Sequence, residues 1–402
     1  MSRPLHVLIA GAGVAALEAT LALRALAEDR VDIELLAPDT EFVYRPMSVA
    51  EPFGHGETRQ FPVARLAELA GGRLTPGTLA RVDLDGRKVE TGDGTELDWD
   101  VLLLALGAQA REGVAGGLTF RGPNDRAALA ELVAEAASGR FQSITFALPT
   151  RAAWPLPLYE LALMTKIRLE DTGATQVRVD LVTPEDEPLA VFGRQASQSV
   201  KSLLETRGID LRAHTTPVVF RDGALVVVPG RAIRTDRVVS LPVPEGPRIP
   251  GLPQNGGGFV PTDPYGRVEG RDDVYAAGDM TTFPLKQGGI ATQQADAAAG
   301  SIAELAGAPV TPKPFRPVLR GLLLTGLSPR FMAAGLLDDS SEVDTEPLWW
   351  PPAKIVGRHL APFLATHLGL SAELPPQAIA ENAVPVEVEL ERLEGNWVSA
   401  RG

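Results

Sequence analysis

The sequence predicts an α/β protein with two doubly wound parallel sheets, the second inserted into the first, and a small C-terminal α+β region. One observation is a strand–turn–helix–strand pattern over residues 5–36, and another is a similar alternation within residues 119–239. A short apolar strand at 272–278, followed by an alanine-rich helix, is expected to belong to the first fold. Both units are predicted to be Rossmann-like, since parallel neighbours need helical crossovers.

The predicted domain organisation is discontinuous. Five prolines from Pro242 to Pro253 indicate a linker that leads the chain back to the first fold. Strand-like residues 79–84 and 88–91, joined by an Asp-Gly pair, predict a β-hairpin within that fold. The predicted segments are 1–118 and 240–312 for the first fold, 119–239 for the second, and 313–402 for the C-terminal region.

Composition limits the chemistry. A net charge of −13 without a concentrated basic stretch argues against nucleic-acid binding. There is no cysteine, which excludes disulfides, thiolate metal sites, iron–sulfur clusters and cysteine nucleophiles, and the five histidines show no metal-ligand spacing. No apolar run reaches the ~18 to 20 residues of a membrane span, and the N-terminus lacks a signal-peptide pattern. A cytoplasmic location is therefore expected.

The turn after the first strand has the spacing of a dinucleotide-binding loop. Gly11 allows a tight turn, Gly13 allows close approach to a pyrophosphate, and the small Ala16 allows the helix to pack on the strand. This pattern predicts dinucleotide binding, with an ordinary glycine turn as the alternative. The acidic residue expected at the end of the next strand is replaced by Ala37, so Asp39, two positions later, is the candidate for binding the ribose.

A second signature begins at Asp272, where a short apolar strand ends in Gly278 and Asp279. A carboxylate at this point is well placed to accept hydrogen bonds from the ribityl chain of a flavin. The following helix starts near Pro284, and its N-terminus can stabilise negative charge on the N1–C2=O edge of a reduced flavin. Lys286 is predicted to add to this stabilisation and is the predicted catalytic residue; a surface lysine at a helix start is the alternative.

These motifs resemble the pyridine nucleotide-disulfide oxidoreductase superfamily of two-dinucleotide-fold flavoproteins, and within it the type II NADH dehydrogenases and sulfide:quinone oxidoreductases. The matching segments are residues 11–18, 99–108 and 274–279, and residues 42–46 are similar to the family's loop against the flavin; Leu106 replaces the usual threonine. The resemblance covers residues 1–312 and implies bound FAD, with Asp279 on the ribityl chain and Lys286 and Gln287 over the pyrimidine edge. The predicted FAD-binding residues are Gly11, Gly13, Val14, Ala15, Ala16, Asp39, Arg45, Pro46, Leu79, Ala105, Gly107, Gly278, Asp279, Lys286, Gln287 and Gly289.

The corresponding loop of the second fold, residues 146–162, contains no glycine and three prolines. Proline removes the backbone N–H groups that would bind a pyrophosphate, and the side chains beside it block close approach. Sulfide:quinone oxidoreductases have a similarly degenerate loop that carries a cysteine used on sulfide; its absence here excludes persulfide chemistry. Trp154, Pro155 and Tyr159 are therefore predicted to hold a small-molecule donor, with core packing as the alternative, and Glu160 is expected to be a helix-cap charge.

Three functions follow from these motifs. The favoured one is an FAD-dependent oxidoreductase that passes a hydride or electron pair from an unidentified small-molecule donor to a quinone-like or other acceptor. The second is an NAD(P)H:acceptor oxidoreductase of the type II NADH dehydrogenase kind, in which nicotinamide nucleotide binds weakly or through Arg151. The third is a non-catalytic FAD-binding scaffold protein.

The C-terminal region predicts a strand pair near 322–325 and 331–337, then a helix near 353–369 after two adjacent tryptophans. The apolar face of this helix is predicted to pack on its own protein or across a homodimer, with peripheral membrane contact as the alternative. Lys354 and Arg358 are expected off that face. The residues predicted on it are Val356, Leu360, Phe363, Leu364 and Leu368.

Overall fold

A computed structural model describes residues 3–334, 341–345, 348 and 354–368, with only the backbone of residues 367 and 368. Seven α-helices lie within these ranges: α1 Val14–Ala27, α2 Val63–Leu69, α3 Arg126–Ala137, α4 Leu156–Asp171, α5 Gly193–Thr206, α6 Gly288–Leu305 and α7 Leu360–Leu368. Short 3-10 helices cover Glu28–Arg30, Arg45–Val49, Glu51–Phe53, Pro123–Asp125, Ala190–Phe192 and Gly278–Met280. None of the helices in the described ranges is long and apolar enough to cross a bilayer.

The first sheet contains five parallel strands and is covered on both faces. Helices α1 and α6 pack on one face, and a three-stranded antiparallel sheet packs on the other. Burial on both sides explains why residues 7–10 are continuously apolar and 0% exposed. The strands lie in the order Val274–Ala276, Val101–Leu104, Leu5–Ala10, Val31–Ala37 and Arg73–Pro76, and the antiparallel sheet consists of Leu79–Asp83, Lys88–Thr91 and Glu96–Asp98.

The second sheet also has five parallel strands, and the α/β class with Rossmann-like sheets is confirmed. Helix α4 is almost wholly buried against this sheet. A hairpin around Gly223 has its strands on either side of a two-residue turn. The parallel strands lie in the order Leu118–Thr119, Arg237–Ser240, Ser143–Ala147, Arg178–Val182 and Ile209–Arg212; the hairpin sheet consists of Thr216–Arg221, Ala224–Val228 and Ile233–Arg234.

Smaller sheets complete the described structure. The proline-rich stretch predicted as a linker contains a short strand, so it is partly ordered by strand pairing. The predicted C-terminal strand pair is present with shifted bounds, and residues 335–337 of that prediction lie outside the described residues. These sheets are Gln109–Arg111 with Val243–Glu245, Glu41–Val43 with Gln60–Pro62, and Arg320–Leu323 with Arg330–Ala334 and Ser341–Asp344. The predicted domain boundaries stay predictions.

The order of strands reverses at one point in each parallel sheet. In the first sheet the reversal lies between Leu5–Ala10 and Val101–Leu104, and in the second between Ser143–Ala147 and Arg237–Ser240. Ligands of such sheets bind outside the carboxyl ends of the strands at this reversal. The two loops compared in the sequence, at Gly11 and at Pro149, therefore lie at equivalent positions.

The prediction of a helix near 353–369 is wrong at its start, because α7 begins at Leu360. Residues 354–359 are not helical, and their polar groups bond to other elements. Leu360 and Leu364 are buried in the core cluster that also contains the apolar side of α1, so this part of the helix packs on its own protein. Lys354 is buried in an ion pair rather than lying off the face, and Trp349 and Trp350 lie outside the described residues.

Candidate functional site at the carboxyl edges of the two sheets

The turn after the first strand approaches its neighbour so closely that only glycine fits at position 11. Gly11 has φ +124°, and a Cβ there would lie 2.3 Å from the carbonyl oxygen of Ala105. Gly13 is different, because nothing lies within 4 Å of the position of its Cβ. No side chain caps the N-terminus of α1 at Gly13. The first N–H groups of α1 therefore face open space, as a pyrophosphate site requires.

The second predicted motif, which ends at Gly278 and Asp279, lies against the glycine turn that follows the first strand. Gly278 has φ +81°, and a Cβ there would lie 3.2 Å from the Cβ of Ala15. The Gly278 N–H donates to Oε1 of Gln294 at 2.7 Å, which fixes the end of the strand against α6. The structure therefore brings together two groups of predicted residues, 13–16 and 278–279, from opposite ends of the first fold.

Asp279 provides a carboxylate near two cations. Burial raises the pKa of Asp279, and the nearby charges of Lys286 and Arg45 lower it by less. Within the part of the chain that the structure describes, no hydrogen-bond donor reaches this carboxylate. Asp279 is partly exposed, so its carboxylate is accessible to a ligand with hydroxyl donors, such as a ribityl chain.

Lys286 is held by its surroundings. Its Nζ donates to the carbonyl oxygens of Thr281 at 2.5 Å and Phe283 at 2.7 Å, and it lies 4.0 Å from the centre of the Phe259 ring. Burial lowers the pKa of Lys286 to about 8, opposed by the charge of Asp279. The ammonium group is therefore fixed beside Asp279 and is not a free surface lysine. Its catalytic role stays a prediction.

The start of α6 is partly capped by the protein itself. Oε1 of Gln287 accepts a hydrogen bond from the N–H of Ile290 at 2.8 Å, and its Nε2 donates to the Arg320 carbonyl at 3.1 Å. Gly288 and Gly289 form the first turn of this helix. Contact between Gln287 or Gly289 and a cofactor stays a prediction.

Five further predicted FAD-binding residues lie in loops, in a short 3-10 helix or at a strand start. Asp39 is exposed and follows the strand end at Ala37, and Arg45 and Pro46 begin a 3-10 helix. Gly107 has φ +71° and open space at its Cβ position. Leu79 is buried at the start of the hairpin beside the first sheet. Their contacts with FAD stay predictions.

The carboxyl edge of the second sheet is filled by the protein's own side chains. Tyr159 is 0% exposed, and its hydroxyl donates to Oε2 of Glu185 at 2.7 Å. The hydroxyl of Thr183 donates to the same oxygen at 2.8 Å. Burial raises the pKa of Glu185 to about 7, although these hydrogen bonds lower it. Glu185, the acidic residue that follows the strand Arg178–Val182, therefore points into the protein interior.

Three strand-end loops of the second fold are tied together at Asp186. Nη2 of Arg151 lies 2.6 Å from Oδ1 of Asp186, and Nδ1 of His214 lies 3.2 Å from the same oxygen. The Ala152 N–H, which would otherwise face a ligand, donates to the hydroxyl of Thr150 at 3.2 Å. The guanidinium predicted to bind a nicotinamide nucleotide therefore already has a carboxylate partner.

The residues predicted to hold the donor are largely buried. Trp154 is partly buried, with its ring centre 5.7 Å from that of Phe192 in an edge-on arrangement, and Pro155 is buried. This geometry agrees with core packing, the alternative given for these residues. Substrate contact by Trp154, Pro155 and Tyr159 stays a prediction.

Two buried carboxylates make long-range contacts that the sequence did not predict. Glu160, expected to be a helix-cap charge, is fully buried and lies 2.6 Å from Nζ of Lys354. Glu18, in the first turns of α1, accepts hydrogen bonds from the N–H groups of His359 and Leu360. In the sequence, each of the two is a charged residue within an alanine- and leucine-rich helical stretch. The partner of each lies far away in the chain and cannot be identified from the sequence.

Comparison with known proteins shows a common fold and a similarity of part of the chain to one family. Residues 160–300 match the family model described as pyridine nucleotide-disulphide oxidoreductase. The sulfide:quinone oxidoreductase from Aquifex aeolicus has a TM-score of 0.75 and 18% identity, over 85% of this chain and 87% of that chain. A ferredoxin reductase for the CYP199A2 system of Rhodopseudomonas palustris has a TM-score of 0.64 and 19% identity, with 82% of each chain covered. A comparison with curated protein sequences finds no match.

The fold and the site together define a protein with two dinucleotide-type folds and an open glycine loop on the first. Residues 160–300 are similar to the pyridine nucleotide-disulphide oxidoreductase family, and the solved structures, at 18% and 19% identity, have the same overall fold.

Proposed function

We propose that the protein is an FAD-dependent oxidoreductase that takes electrons from a small donor other than a nicotinamide nucleotide and passes them to a quinone-like acceptor. The assignment of FAD as the cofactor is supported by the site formed by Gly11, Gly13, Gly278 and Asp279, which we name the cradle. Its open space, uncapped helix start and donor-free carboxylate fit the pyrophosphate and ribityl parts of FAD. FAD, when bound, supplies the transfer of a hydride or electron pair.

The chain's own residues around this cradle provide binding and electrostatics. Asp279 accepts from ribityl hydroxyls, and the start of α1 binds phosphate through its N–H groups. Lys286 and the start of α6 place positive charge beside the pyrimidine edge, where negative charge is favoured. Asp39 would bind the ribose of the adenosine, and Arg45 would lie on the flavin side, as the family resemblance implies.

The non-nucleotide donor is supported by the second fold. A dinucleotide needs free backbone N–H groups, open space and an available acidic residue at the carboxyl edge. Here the turn is proline-rich, Arg151 is paired with Asp186, and Glu185 bonds to Tyr159. A small donor therefore approaches between the folds near Trp154, whose ring is the partly exposed aromatic group of that loop.

The second candidate is an NAD(P)H:acceptor oxidoreductase. It is favoured by the family match, whose 160–300 span includes α4 and most of the second fold. In this case the exposed pair between Arg151 and Asp186 opens and the guanidinium binds a phosphate. We further propose a cytoplasmic homodimer.

The test is anaerobic mixing of the purified, FAD-loaded protein with NADH and with NADPH, followed by the visible flavin absorbance. The proposal expects no reduction by either nucleotide, and expects dithionite-reduced protein to pass electrons to a soluble quinone. Fast bleaching by NADH or NADPH selects the second candidate. Reduced protein that is inert to every acceptor selects the scaffold function.

A matched pair of glycine variants tests the cradle. Gly13→Val fills the open space in front of α1 and is expected to prevent FAD binding while the chain still folds. Gly256→Val is the control, because that position is exposed, has ordinary φ and also has nothing within 4 Å of its Cβ position. Equal FAD content in the two variants contradicts the proposed cradle.

A further inference from the structure

Arg320 begins the strand Arg320–Leu323 and lies beside the start of α6. Its carbonyl oxygen accepts a hydrogen bond from Nε2 of Gln287 at 3.1 Å. Two residues earlier, the N–H of Val318 donates to Oε1 of Gln293 at 2.7 Å, and the carbonyl oxygen of Val318 accepts from Nε2 of Gln293 at 2.9 Å. The backbone of residues 318–320 is therefore fixed along the first turns of α6, beside the position that the proposed function gives to the pyrimidine edge of FAD.

The side chain of Arg320 lies on a defined face of the small antiparallel sheet. Alternate side chains of a strand point to opposite faces, so Arg320 shares a face with Leu322. Leu322 lies opposite Phe331 in the neighbouring strand, and this pair packs against Val356. The carbonyl oxygen of Val356 accepts a hydrogen bond from the hydroxyl of Thr292 in α6 at 2.9 Å. The face that carries Arg320 is therefore the one turned toward residue 356 and α6.

The opposite face of the same strand packs on the second fold. A Cβ at Gly321 would lie 2.3 Å from the ring of Phe192, so only glycine fits there. The ring of Phe192 contacts Trp154 edge-on, with the ring centres 5.7 Å apart. In the proposed function the small donor approaches near Trp154. Arg320 therefore points away from the donor and toward the side that is left for the acceptor.

The guanidinium group of Arg320 has no hydrogen bond, ion pair or ring contact among the residues that the structure describes. Arg330 on the same sheet differs, because its Nη1 donates to the carbonyl oxygens of Ser328 and Pro329. Arg320 is only partly exposed, and burial lowers its pKa with no acidic group opposing this effect. Taking a charge out of water without a partner is costly. The forked N–H groups of a guanidinium match a carboxylate or a similar anion, so an anionic ligand would supply the missing partner.

The surroundings of Arg320 on its face of the sheet are small and apolar. Ala333 lies directly opposite Arg320 in the neighbouring strand, so no large side chain covers it from there. Leu322 and Phe331 continue the same face and are largely buried. Glu342 lies opposite Ala333 one strand further on and is exposed, without an ion pair to Arg320. A cation at the end of an apolar row suits a ring compound that carries one anionic substituent.

We propose that Arg320 binds an anionic group of the electron acceptor, so that the protein selects a quinone-like compound bearing a carboxylate or similar anion over a neutral one. Arg320 is then a specificity-determining residue, because it holds a substituent of the acceptor through charge-assisted hydrogen bonds. The inference rests on the proposed function only for the identity of the ligand as an acceptor. The anion site itself requires no more than Arg320 and its surroundings.

The anion site is tested by calorimetric titration of the full chain with benzoate, and with benzamide as the neutral ligand of the same shape. Wild-type protein is expected to bind benzoate at least about tenfold more tightly than benzamide, because only the carboxylate makes charge-assisted hydrogen bonds. Arg320→Met is expected to remove this preference, and Arg320→Lys to keep part of it. Arg330→Met is the control and should keep all of it, because that guanidinium is already hydrogen-bonded. Equal benzoate affinity in the wild type and in Arg320→Met overturns the proposal, as does a wild type that binds no benzoate.

Thermal unfolding separates ligand binding from a structural role. Arg320 has no partner to lose within the described part of the chain, so Arg320→Met should have a Tm equal to or above that of the wild type. A Tm that falls by several degrees would show that the guanidinium already has a partner in the folded chain, and this result overturns the proposal.

The identity of the ligand is tested with FAD-loaded protein that has been reduced by dithionite. It is mixed with naphthoquinone sulfonate or with unsubstituted naphthoquinone, and flavin reoxidation is followed at several quinone concentrations. Arg320→Met should raise the half-saturating concentration at least about tenfold more for the sulfonate than for the neutral quinone. An equal rise for both quinones overturns selection of an anionic acceptor.

Flavin content is determined separately, so the inference and the proposed function are judged independently. A chain that binds benzoate through Arg320 but binds no FAD supports the anion site and contradicts the proposed function. A chain that binds FAD and reduces quinones, with the same benzoate affinity in the wild type and in Arg320→Met, supports the proposed function and overturns the anion site.

Discussion

The two parallel sheets carry a strand–loop–helix unit at the same topological position, and the two loops have opposite properties. The loop after Leu5–Ala10 has Gly13 in open space and leaves the start of α1 uncapped. The loop after Ser143–Ala147 is proline-rich, and the N–H of Ala152 is taken by its own Thr150. Both loops keep the fold, because folding requires only strand pairing and helix packing. Binding a pyrophosphate also requires free donors and space, which only the first loop keeps.

The acidic positions after the neighbouring strands show the same contrast. Asp39 of the first fold is exposed, whereas Glu185 of the second is buried and bonded to Tyr159. An available carboxylate can bind a ribose, and one that is already hydrogen-bonded inside the protein cannot do so without breaking those bonds. Two sheets of similar topology in one chain can therefore differ at their carboxyl edges. One edge leaves an open crevice, and the other is occupied by the protein's own side chains.

The largest expected effect is at Gly11. Gly11→Ala places a Cβ 2.3 Å from a backbone oxygen at a residue with φ +124°, and we expect a loss of about 3–5 kcal/mol in the free energy of unfolding. Gly13→Ala is the matched control, with a change within about 1 kcal/mol. Chemical denaturation of both apoproteins measures the difference. Similar stability of the two variants would show that the first turn is not constrained as described.

The next largest effect is expected at the ion pair between Glu160 and Lys354. Glu160→Ala leaves a buried ammonium group without its partner, and we expect a loss of about 3 kcal/mol. The double variant Glu160→Leu with Lys354→Met should recover most of this loss, since neither charge is then buried alone. Thermal unfolding compares the three proteins. A single variant as stable as the wild type would mean that residues 354–359 are not tied to the second fold.

Lys286 should have a smaller, pH-dependent effect. Its pKa is lowered to about 8, so the ammonium charge is present at about pH 7 and is lost as the pH rises through about 8. Lys286→Met should make the flavin midpoint potential more negative by about 30 mV at about pH 7, equivalent to about 1.4 kcal/mol. The difference from the wild type should disappear at about pH 10. A difference that does not change with pH would argue against the ammonium charge as its cause.

The smallest effect is expected at Arg151. Its ion pair with Asp186 is exposed, at 35% and 57% of the two side chains, so Arg151→Ala should change stability by less than about 1 kcal/mol. It should also leave binding of NADH and NADPH undetectable, because the prolines and the inward Glu185 remain. Calorimetric titration measures both nucleotides. Weak binding in the wild type that disappears in this variant would instead support the second candidate function.

Local sequence predicted the parts of the fold that local chemistry determines. The strand Leu5–Ala10, the hairpin strands beside it and the glycine turn all follow from short apolar runs and from residues that allow unusual φ values. The start of α6 was predicted less accurately, because this helix begins at Gly288 rather than near Pro284. Glycines that usually disfavour a helix are tolerated at its first turn.

The anchors of the site could not be predicted, since they join residues far apart in the chain. Glu18 bonds to Leu360, and Glu160 bonds to Lys354. In the sequence, each is a single charge on an amphipathic or apolar helix, which usually indicates a solvated position. The late start of α7 has the same origin, because Glu18 and Thr292 bond to the backbone of residues 356–360, and residues 356–359 are not helical.

The most direct test of the account is a binding stoichiometry. Apoprotein is titrated with FAD, and the loaded protein is then titrated with NADH and NADPH under anaerobic conditions. The account predicts one FAD bound per chain at the first fold and no binding of either nicotinamide nucleotide at the second. Saturable binding of NADH or NADPH to the loaded protein, or no binding of FAD, would contradict it.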